Sequence, residues 1–249
     1  MKKIYLLLVT LCLFQVVQAQ DQPIKKPKTP IGGRPNIPSD LSIEFGFNQL
    51  NNRSEELSVG FFQSRTLNIY YQYPVKILGE NSGFVIKPGF GFGTDKMAFQ
   101  DEQNLFNNPD LGPESSELLE VQEVYGDNIV VNKNTFAANY IDIPIDIVYH
   151  LNKSNYLKGF RMSVGGKVGF LYNAHTKIRY EDSNRLKRSV KDAQNYGLEK
   201  VRYGISVKAG TPGFYAWGYF GLNQLFQKGL GPSGTQANQI NFGVAVTLF

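Results

Sequence analysis

The two histidines, His150 and His175, are the residues of this chain best suited to catalysis. An imidazole changes its charge near neutral pH and acts as a general base when a serine or an acid lies beside it. His175 is followed by Glu181 and Asp182, but no spacing in the sequence specifies a catalytic arrangement of these side chains. Two histidines so far apart are also a weak basis for a metal site. We therefore expect no catalytic residue, no metal and no cofactor, and we expect that the protein is not an enzyme.

A second group of candidates consists of charged residues inside segments that are otherwise apolar at every second position. Side chains at alternate positions of a strand lie on the same face, so these charges would share the polar face of a sheet. Charges removed from bulk water are costly unless they are paired. We therefore predict a charge network on this face, made of three acids and five bases: Glu44, Asp142, Asp146, Lys87, Arg161, Lys167, Arg202 and Lys208.

One bridge within this network is predicted at Lys167. The short connection at 152–158 sets the register of the two strands that it joins, and this register places Lys167 opposite Pro144. Asp142 and Asp146 then lie on the two diagonals, within reach of a long side chain. We expect a lysine that bridges two aspartates. The network either fills and closes the interior or forms an ion pathway that opens when the partners exchange, and the sequence leaves both alternatives open.

The elements that carry these residues follow a repeat of two. The chain has 249 residues, of which 42% are hydrophobic and 13% aromatic, and its mean hydropathy of −0.27 argues against a polytopic helical membrane protein. Apolar residues alternate with polar or small ones in eight segments, which indicates strands with one apolar and one polar face. The segments are 41–48, 67–73, 84–93, 141–150, 160–172, 201–208, 214–226 and 240–248.

The first forty residues differ from the rest of the chain. A basic start, an apolar run and small residues up to Ala19 predict a secretory signal peptide at 1–19. Cys12, the only cysteine, lies inside it, so we expect no disulfide in the exported chain. Five prolines within 20–40 predict an extended periplasmic arm. We interpret this arm as a tether, and the alternative is a basic arm that binds a partner.

The connections between the eight segments alternate in length. The short ones are 74–83, 152–158 and 211–213, and the long ones are 49–65, 94–139, 174–200 and 227–238. Short turns on one side and long loops on the other are typical of bacterial outer-membrane barrels, and the strands are long enough to cross that membrane when tilted. We therefore predict an all-β fold for residues 41–249, an eight-stranded antiparallel transmembrane β-barrel with long extracellular loops. The glycines within 89–93 would leave room inside this narrow barrel.

Two of the long loops carry opposite charges. Loop 94–139 has nine acids and two bases, a net charge of −7, whereas loop 174–200 has seven bases and four acids, a net charge of +3. A hairpin is predicted in each, formed by 121–125 with 129–131 and by 177–181 with 185–190. The two hairpins either hold each other or bind partners, and the acidic loop could also retain divalent cations that bridge lipopolysaccharide.

Three segments carry a resemblance to a known family. Tyr140–Ile147, with the sequence YIDIPIDI, resembles the Y-[IL]-[DE]-[IL]-P-[IL] strand of the PorT-like outer-membrane β-barrel family of Bacteroidota, and 165–172 and 219–223 are similar to later strands of that family. The resemblance covers about residues 41–249 and implies an eight-stranded barrel in the cell outer membrane. The family's name comes from a component linked to type IX secretion, although most members have no assigned activity.

The resemblance therefore suggests a structural or interaction role, as an accessory of secretion or envelope assembly. The alternatives are a narrow outer-membrane pore and, with less support, a lipid-active outer-membrane enzyme. The expected partners are outer-membrane lipid and lipopolysaccharide, together with envelope or secretion-system proteins. The small positive charge of an exported chain does not indicate binding to nucleic acid.

Overall fold

The computed structural model describes residues 39–79, 81–156 and 158–248, and these residues are mostly in strands. A short helix, α1 (Val121–Tyr125), and a 3-10 turn at Pro232–Gly234 interrupt them. In chain order the strands are β1 (Asp40–Asn51), β2 (Arg65–Gln72), β3 (Val75–Lys76), β4 (Phe84–Ala98), β5 (Gln103–Phe106), β6 (Glu117–Glu120), β7 (Val130–His150), β8 (Arg161–Glu181), β9 (Lys187–Asp192), β10 (Val201–Thr211), β11 (Phe214–Gln224) and β12 (Asn238–Thr247).

Eight of these strands close into a barrel. β1 pairs with β2, β2 with β4, β4 with β7 and β7 with β8, and the ring continues through β10, β11 and β12 back to β1. All of these pairings are antiparallel, and each alternating segment of the sequence is one barrel strand. The predicted eight-stranded antiparallel barrel is therefore confirmed. Closure pairs both edges of every barrel strand, which an open sheet cannot do.

The barrel is apolar outside and polar inside. In β1, Glu44 and Asn48 are buried in the interior whereas Phe45 is exposed. In β7, Asp142 is fully buried and its neighbour Ile143 is 46% exposed. Exposed rows of leucine, isoleucine, valine and phenylalanine are expected where the surrounding medium is lipid.

The hairpin of β7 and β8 has the predicted register. The backbone N–H of Leu151 donates to the carbonyl oxygen of Phe160 at 3.1 Å, and Pro144 lies opposite Lys167. Both strands have 21 residues, so at about 3.3 Å per residue they extend well beyond the hydrocarbon core of a bilayer. A register shift next to Asn139 marks the point where they leave the regular barrel.

The long-loop end of the barrel carries further structure, and here one prediction is wrong. Residues 121–125 form α1 rather than one strand of a hairpin. Val121 and Tyr125 are spaced four apart, as on one face of a helix, and Val121 is buried in a cluster with Ile178. β5 and β6 form a hairpin that the sequence analysis did not predict. The second predicted hairpin is confirmed, because β8 continues to Glu181 and pairs with β9.

An apolar core covers the barrel at the long-loop end. Its side chains come from strand ends and from four separate loops, and Phe136 of β7 meets Tyr196 edge-on at 5.7 Å between ring centres. We call this core the loop cap. Its buried members are Leu57, Val59, Met97, Phe99, Leu105, Phe136, Ala138, Tyr140, Ala174, Tyr196, Leu198, Leu225 and Phe226.

The predictions for the N-terminal region fall almost entirely outside the described residues. These are the signal peptide at 1–19 and the arm at 20–40. Asp40, which the prediction places in the arm, is the first residue of β1. No helix in the described part of the chain is both long enough and apolar enough to span a membrane.

Candidate functional site in the barrel interior

Arg202 of β10 is the centre of the polar interior. Its Nη2 lies 2.7 Å from Oδ2 of Asp142 on β7, and its Nε lies 3.2 Å from Oδ1 of the same carboxylate. The guanidinium group also pairs with Asp95 of β4 and lies 3.8 Å from the centre of the Tyr140 ring. A planar guanidinium group can satisfy two carboxylates at once, so Arg202 joins three strands across the interior.

Lys167 of β8 lies beside this centre. Its Nζ is 3.7 Å from Oδ2 of Asp142 and 3.1 Å from the hydroxyl of Tyr70, and it lies 4.2 Å from the ring centre of Tyr219. The hydroxyl of Tyr70 in turn donates to Asp142 at 2.7 Å. Lys167 makes no ion pair with Asp146 within the described residues. The predicted lysine bridge between Asp142 and Asp146 is therefore wrong for Lys167.

Asp146 is instead paired with Lys208 of β10. The Nζ of Lys208 lies 2.9 Å from Oδ2 of Asp146 and 2.7 Å from Oε1 of Glu44. Gln72 and Ser206 donate two further hydrogen bonds to Asp146, at 2.8 and 3.2 Å. A lysine that bridges two acids thus occurs at position 208. This bridge was not predictable from the sequence, because no short turn joins β10 to β7 and their relative register could not be inferred.

The remaining two predicted bases lie towards the short-turn end. Lys87 pairs with Asp40 at 2.5 Å. Arg161 lies 4.7 Å from the ring centre of Tyr215, and within the described residues it makes no ion pair and its Nε has no hydrogen-bond partner. The eight predicted charged residues all lie in the interior, where seven are buried and the side chain of Lys208 is 11% exposed.

Two interior acids were assigned elsewhere by the sequence analysis. Asp95 was counted in loop 94–139, but β4 extends past it and Asp95 continues the inward phase of Gly93. Asp40 was counted in the N-terminal arm. With these two residues, the interior of the described chain holds five acids and five bases, whereas the predicted set has three acids and five bases. A balanced interior is what a space with little water requires.

Glycines on the inner face supply the space for these side chains. A Cβ atom on Gly93 would lie 2.5 Å from Oδ2 of Asp142, and one on Gly169 would lie 2.8 Å from Nε of Arg202. Both distances are far shorter than van der Waals contact. The role predicted for the glycines at 89–93, to leave room inside a narrow barrel, agrees with this geometry.

Little free space remains in the interior. A cavity of about 30 Å³ on the short-turn side is lined by residues that include Lys87 and Lys208. Another of about 10 Å³ on the long-loop side is lined by residues that include Arg202 and Tyr219, and the two cavities share no lining residue. Such volumes hold about one or two water molecules each. The layer of Arg202, Asp142 and Lys167 lies between these two cavities.

The two histidines lie at opposite ends of the barrel. His150 is at the short-turn end, where its ring stacks on Tyr156 at 4.6 Å between centres. His175 is on the outward face of β8, with Nδ1 3.2 Å from Oδ1 of Asn173. No cluster of three or more histidine, cysteine or acidic side chains that could hold a metal occurs among the described residues.

A closed antiparallel ring with an apolar exterior and a polar interior is characteristic of an outer-membrane β-barrel. The model of the family described as outer membrane protein beta-barrel domain matches residues 18–227, which is more than half of the chain. The chain therefore belongs to this family and is a protein of the outer membrane. The short-turn end is accordingly periplasmic and the long-loop end extracellular.

The comparison with solved structures finds a similarity to one small outer-membrane protein. Ail, the attachment invasion locus protein of Yersinia pestis, solved in complex with the heparin analogue sucrose octasulfate, has 13% sequence identity and a TM-score of 0.37. The match covers 84% of this chain and 97% of Ail. No curated protein matches the sequence.

Proposed function

We propose that the protein is a non-conducting outer-membrane barrel with a structural or interaction role, which presents a charged lobe outside the cell. The observation that supports this proposal best is the occluded interior. Arg202, Asp142 and Lys167 fill its middle, and the loop cap covers its extracellular end. Because each of these charges is held by at least one partner, opening the interior would require several ion pairs to separate together.

The outer lobe is the proposed interaction surface. Residues 99–129 contain eight acids and no lysine, arginine or histidine. Most of these acids are exposed, while Leu105 and Val121 anchor the segment in apolar clusters. Among the described residues, the pair of Glu114 with Lys200, at 3.6 Å, is the one ion pair that this segment makes. A fixed acidic surface that is largely uncompensated suits a cationic partner.

We further propose that the chain belongs to the PorT-like group of Bacteroidota. The YIDIPI sequence at 140–145 supports membership of the PorT-like group of Bacteroidota, and through it an accessory role in secretion or envelope assembly. Export by a signal peptide at 1–19 and the absence of enzymatic activity belong to the same proposal. The expected partners are lipopolysaccharide and cationic envelope or secretion-system proteins.

Conductance in planar bilayers tests the occluded interior. The folded protein, identified by its faster migration on gels before boiling, should insert without producing unitary currents. Steady unitary currents from the unmodified protein would replace this proposal with the narrow pore.

The interaction role is tested by crosslinking in native outer membranes. A variant that combines Glu114→Gln, Glu117→Gln, Glu120→Gln and Glu123→Gln should lose adducts that the unmodified protein forms. A variant with Glu55→Gln and Glu56→Gln should keep them. Identical adducts from both variants would remove the acidic lobe from the proposal.

Lipid-hydrolysis assays test the proposed absence of enzymatic activity. The unmodified protein and His175→Ala should both give no activity.

A further inference from the structure

On several neighbouring strands, the outward-facing residues change from apolar to polar at the extracellular edge of the lipid-facing surface. Phe92 of β4 and Ile141 of β7 are apolar and exposed. The next outward positions hold Thr94, Asn139 and Asn173, whose side chains are hydrogen-bonded in a row at 3.0 and 3.2 Å. A row of amide and hydroxyl groups directly above an apolar belt is expected where acyl chains give way to lipid headgroups.

Beyond this row the outward face becomes basic. Arg65 of β2 is the direct cross-strand partner of Lys96 on β4. Lys133 of β7 faces Arg179 of β8, and Lys177 of β8 faces Lys191 of β9. We call these six residues the basic band: Arg65, Lys96, Lys133, Lys177, Arg179 and Lys191.

The basic band is unfavourable for the protein by itself. Like charges directly opposite each other on neighbouring strands destabilise a sheet, and the band contains three such pairs. Within the described residues, none of the six cations forms an ion pair with an acid. The next acid outwards on this face, Glu181, is opposite Lys187. The interior of the same barrel, by contrast, is balanced between acids and bases.

The position of the band indicates what compensates its charge. It crosses five adjacent strands, which at about 4.8 Å per strand makes it roughly 20 Å wide. Phe61 and Phe62 are 44% and 68% exposed at one end of it, and Nε of Arg65 donates to the carbonyl oxygen of Phe62 at 3.2 Å. Exposed aromatic rings at the rim of a barrel lie at the level of the headgroups, so the end of the band at Arg65 lies at that level.

We propose that the basic band binds the phosphate groups of an anionic glycolipid of the outer leaflet, of the lipid A type. Phosphate oxygens between the paired cations would turn three repulsive contacts into attractive ones. The inference rests on the outer-membrane location and the extracellular orientation of the long loops. It does not depend on whether the interior conducts.

The test compares two double variants that remove the same charge at opposite ends of the barrel. Lys96→Gln with Lys177→Gln changes the basic band, and Lys153→Gln with Lys158→Gln changes exposed lysines of the periplasmic turn. Each protein is unfolded in neutral detergent micelles with increasing diphosphoryl lipid A, with dephosphorylated lipid A, or with inorganic phosphate.

Diphosphoryl lipid A should raise the unfolding midpoint of the unmodified protein and of the periplasmic variant. The basic-band variant should need roughly 30-fold more of it for the same rise, because two cations near an anionic surface are removed. Without lipid A, this variant should be at least as stable as the unmodified protein, since it loses repulsion.

Three results would overturn the proposal. One is an equal response of both variants to diphosphoryl lipid A, and another is an equal response of the unmodified protein to dephosphorylated lipid A. A rise of the same size with inorganic phosphate would show that the lipid is not required.

Discussion

Asp142 meets three groups in the barrel interior, and each comes from a different strand. Arg202 of β10, Lys167 of β8 and Tyr70 of β2 all lie within 4 Å of its oxygens. Arg202 likewise connects several strands, because it pairs with Asp95 of β4 as well as with Asp142 of β7. The two residues therefore join strands that are not neighbours in the ring. Their loss should affect the whole barrel rather than one hairpin.

Arg202→Met should be the most damaging single change in the interior. It leaves Asp95 and Asp142 without their shared partner, and breaking a buried pair typically costs about 3–5 kcal/mol. Lys167→Met should cost less, because Asp142 keeps Arg202. The lipid-facing Ile143→Leu should cost less than about 1.5 kcal/mol. Urea unfolding in lipid vesicles measures all three, and equal midpoints for Arg202→Met and Ile143→Leu would contradict the ion-pair account.

Gly93→Ala tests the space that glycines supply. Its Cβ atom would lie 2.5 Å from Oδ2 of Asp142, so the carboxylate would have to move, and overpacking of this kind costs about 1–3 kcal/mol. Gly218→Ala is the matched control, since its Cβ atom would meet nothing closer than 3.7 Å. Thermal unfolding in the same detergent compares the two variants. If the two variants unfold at the same temperature, the inner face has room for the added methyl group.

At the scale of elements, the barrel strands could be predicted because lipid outside and polar groups inside impose a strict repeat of two. The pairing of Lys167 with Pro144 was also predictable, since the short turn at 152–158 fixes that register. The partner of Asp146 was not, because Lys208 reaches it from a strand that no short turn relates to β7. The segment 121–125 was missed because a five-residue helix is stabilised by tertiary packing, which a local pattern does not reveal.

Asp182 holds the turn between β8 and β9. Its carboxylate accepts hydrogen bonds from the backbone N–H groups of Leu186 and Asn184 and from Nε of Arg188. The Leu186 bond is the main cause of a pKa of Asp182 below its ordinary value. A lowered pKa in the folded state means that this stabilisation is present above pH of about 4 and is lost as the pH falls through the folded value.

Asp182→Ala should therefore loosen the hairpin of β8 and β9 at neutral pH and have little effect in acid. Hydrogen exchange at the amides of 187–192 measures this loosening. Asp127→Ala removes another exposed turn acid, which makes no side-chain hydrogen bond or ion pair in the described structure, and it should leave these amides unchanged. Equal exchange in both variants at neutral pH would show that the carboxylate does not hold the turn.

At the scale of the whole molecule, the barrel has three parts along its axis. A small periplasmic cavity is followed by the layer of Arg202 and its acids, and the loop cap follows on the extracellular side. The extracellular loops are packed against one another, so most of their length should resist proteases. The longest run of exposed residues in the described loops is 183–189, which covers the turn after β8 and the first residues of β9.

Trypsin added to intact cells should cut after Arg185 or Arg188, because both lie in this exposed segment. Lys153 and Lys158 are equally exposed, but their turn is periplasmic, and they should be cut only after the outer membrane is permeabilised. Mass spectrometry of the fragments identifies the sites. Cutting at Lys153 or Lys158 in intact cells, with the segment 183–189 spared, would contradict the orientation assigned to the barrel.

The loop cap also bears on how the barrel would yield to mechanical force. The first and last described strands, β1 and β12, pair with each other and close the ring, and we call this pairing the seam. The first residue of β1, Asp40, and the last residue of β12, Thr247, lie at its periplasmic end. Tension applied there would break the hydrogen bonds between β1 and β12 one after another, and a pair of strands resists this direction of pulling least.

At the extracellular end of the seam, the loop after β1 is hydrogen-bonded to the loop before β12. The backbone N–H of Ser54 donates to Thr235, and Ser233 donates to Glu56. Leu57 and Phe226 join these loops within the loop cap. The hydrogen bonds between β1 and β12 would therefore break first, from the periplasmic end, until separation reaches these loop contacts. The force needed to break the loop contacts should set the force at which the ring opens.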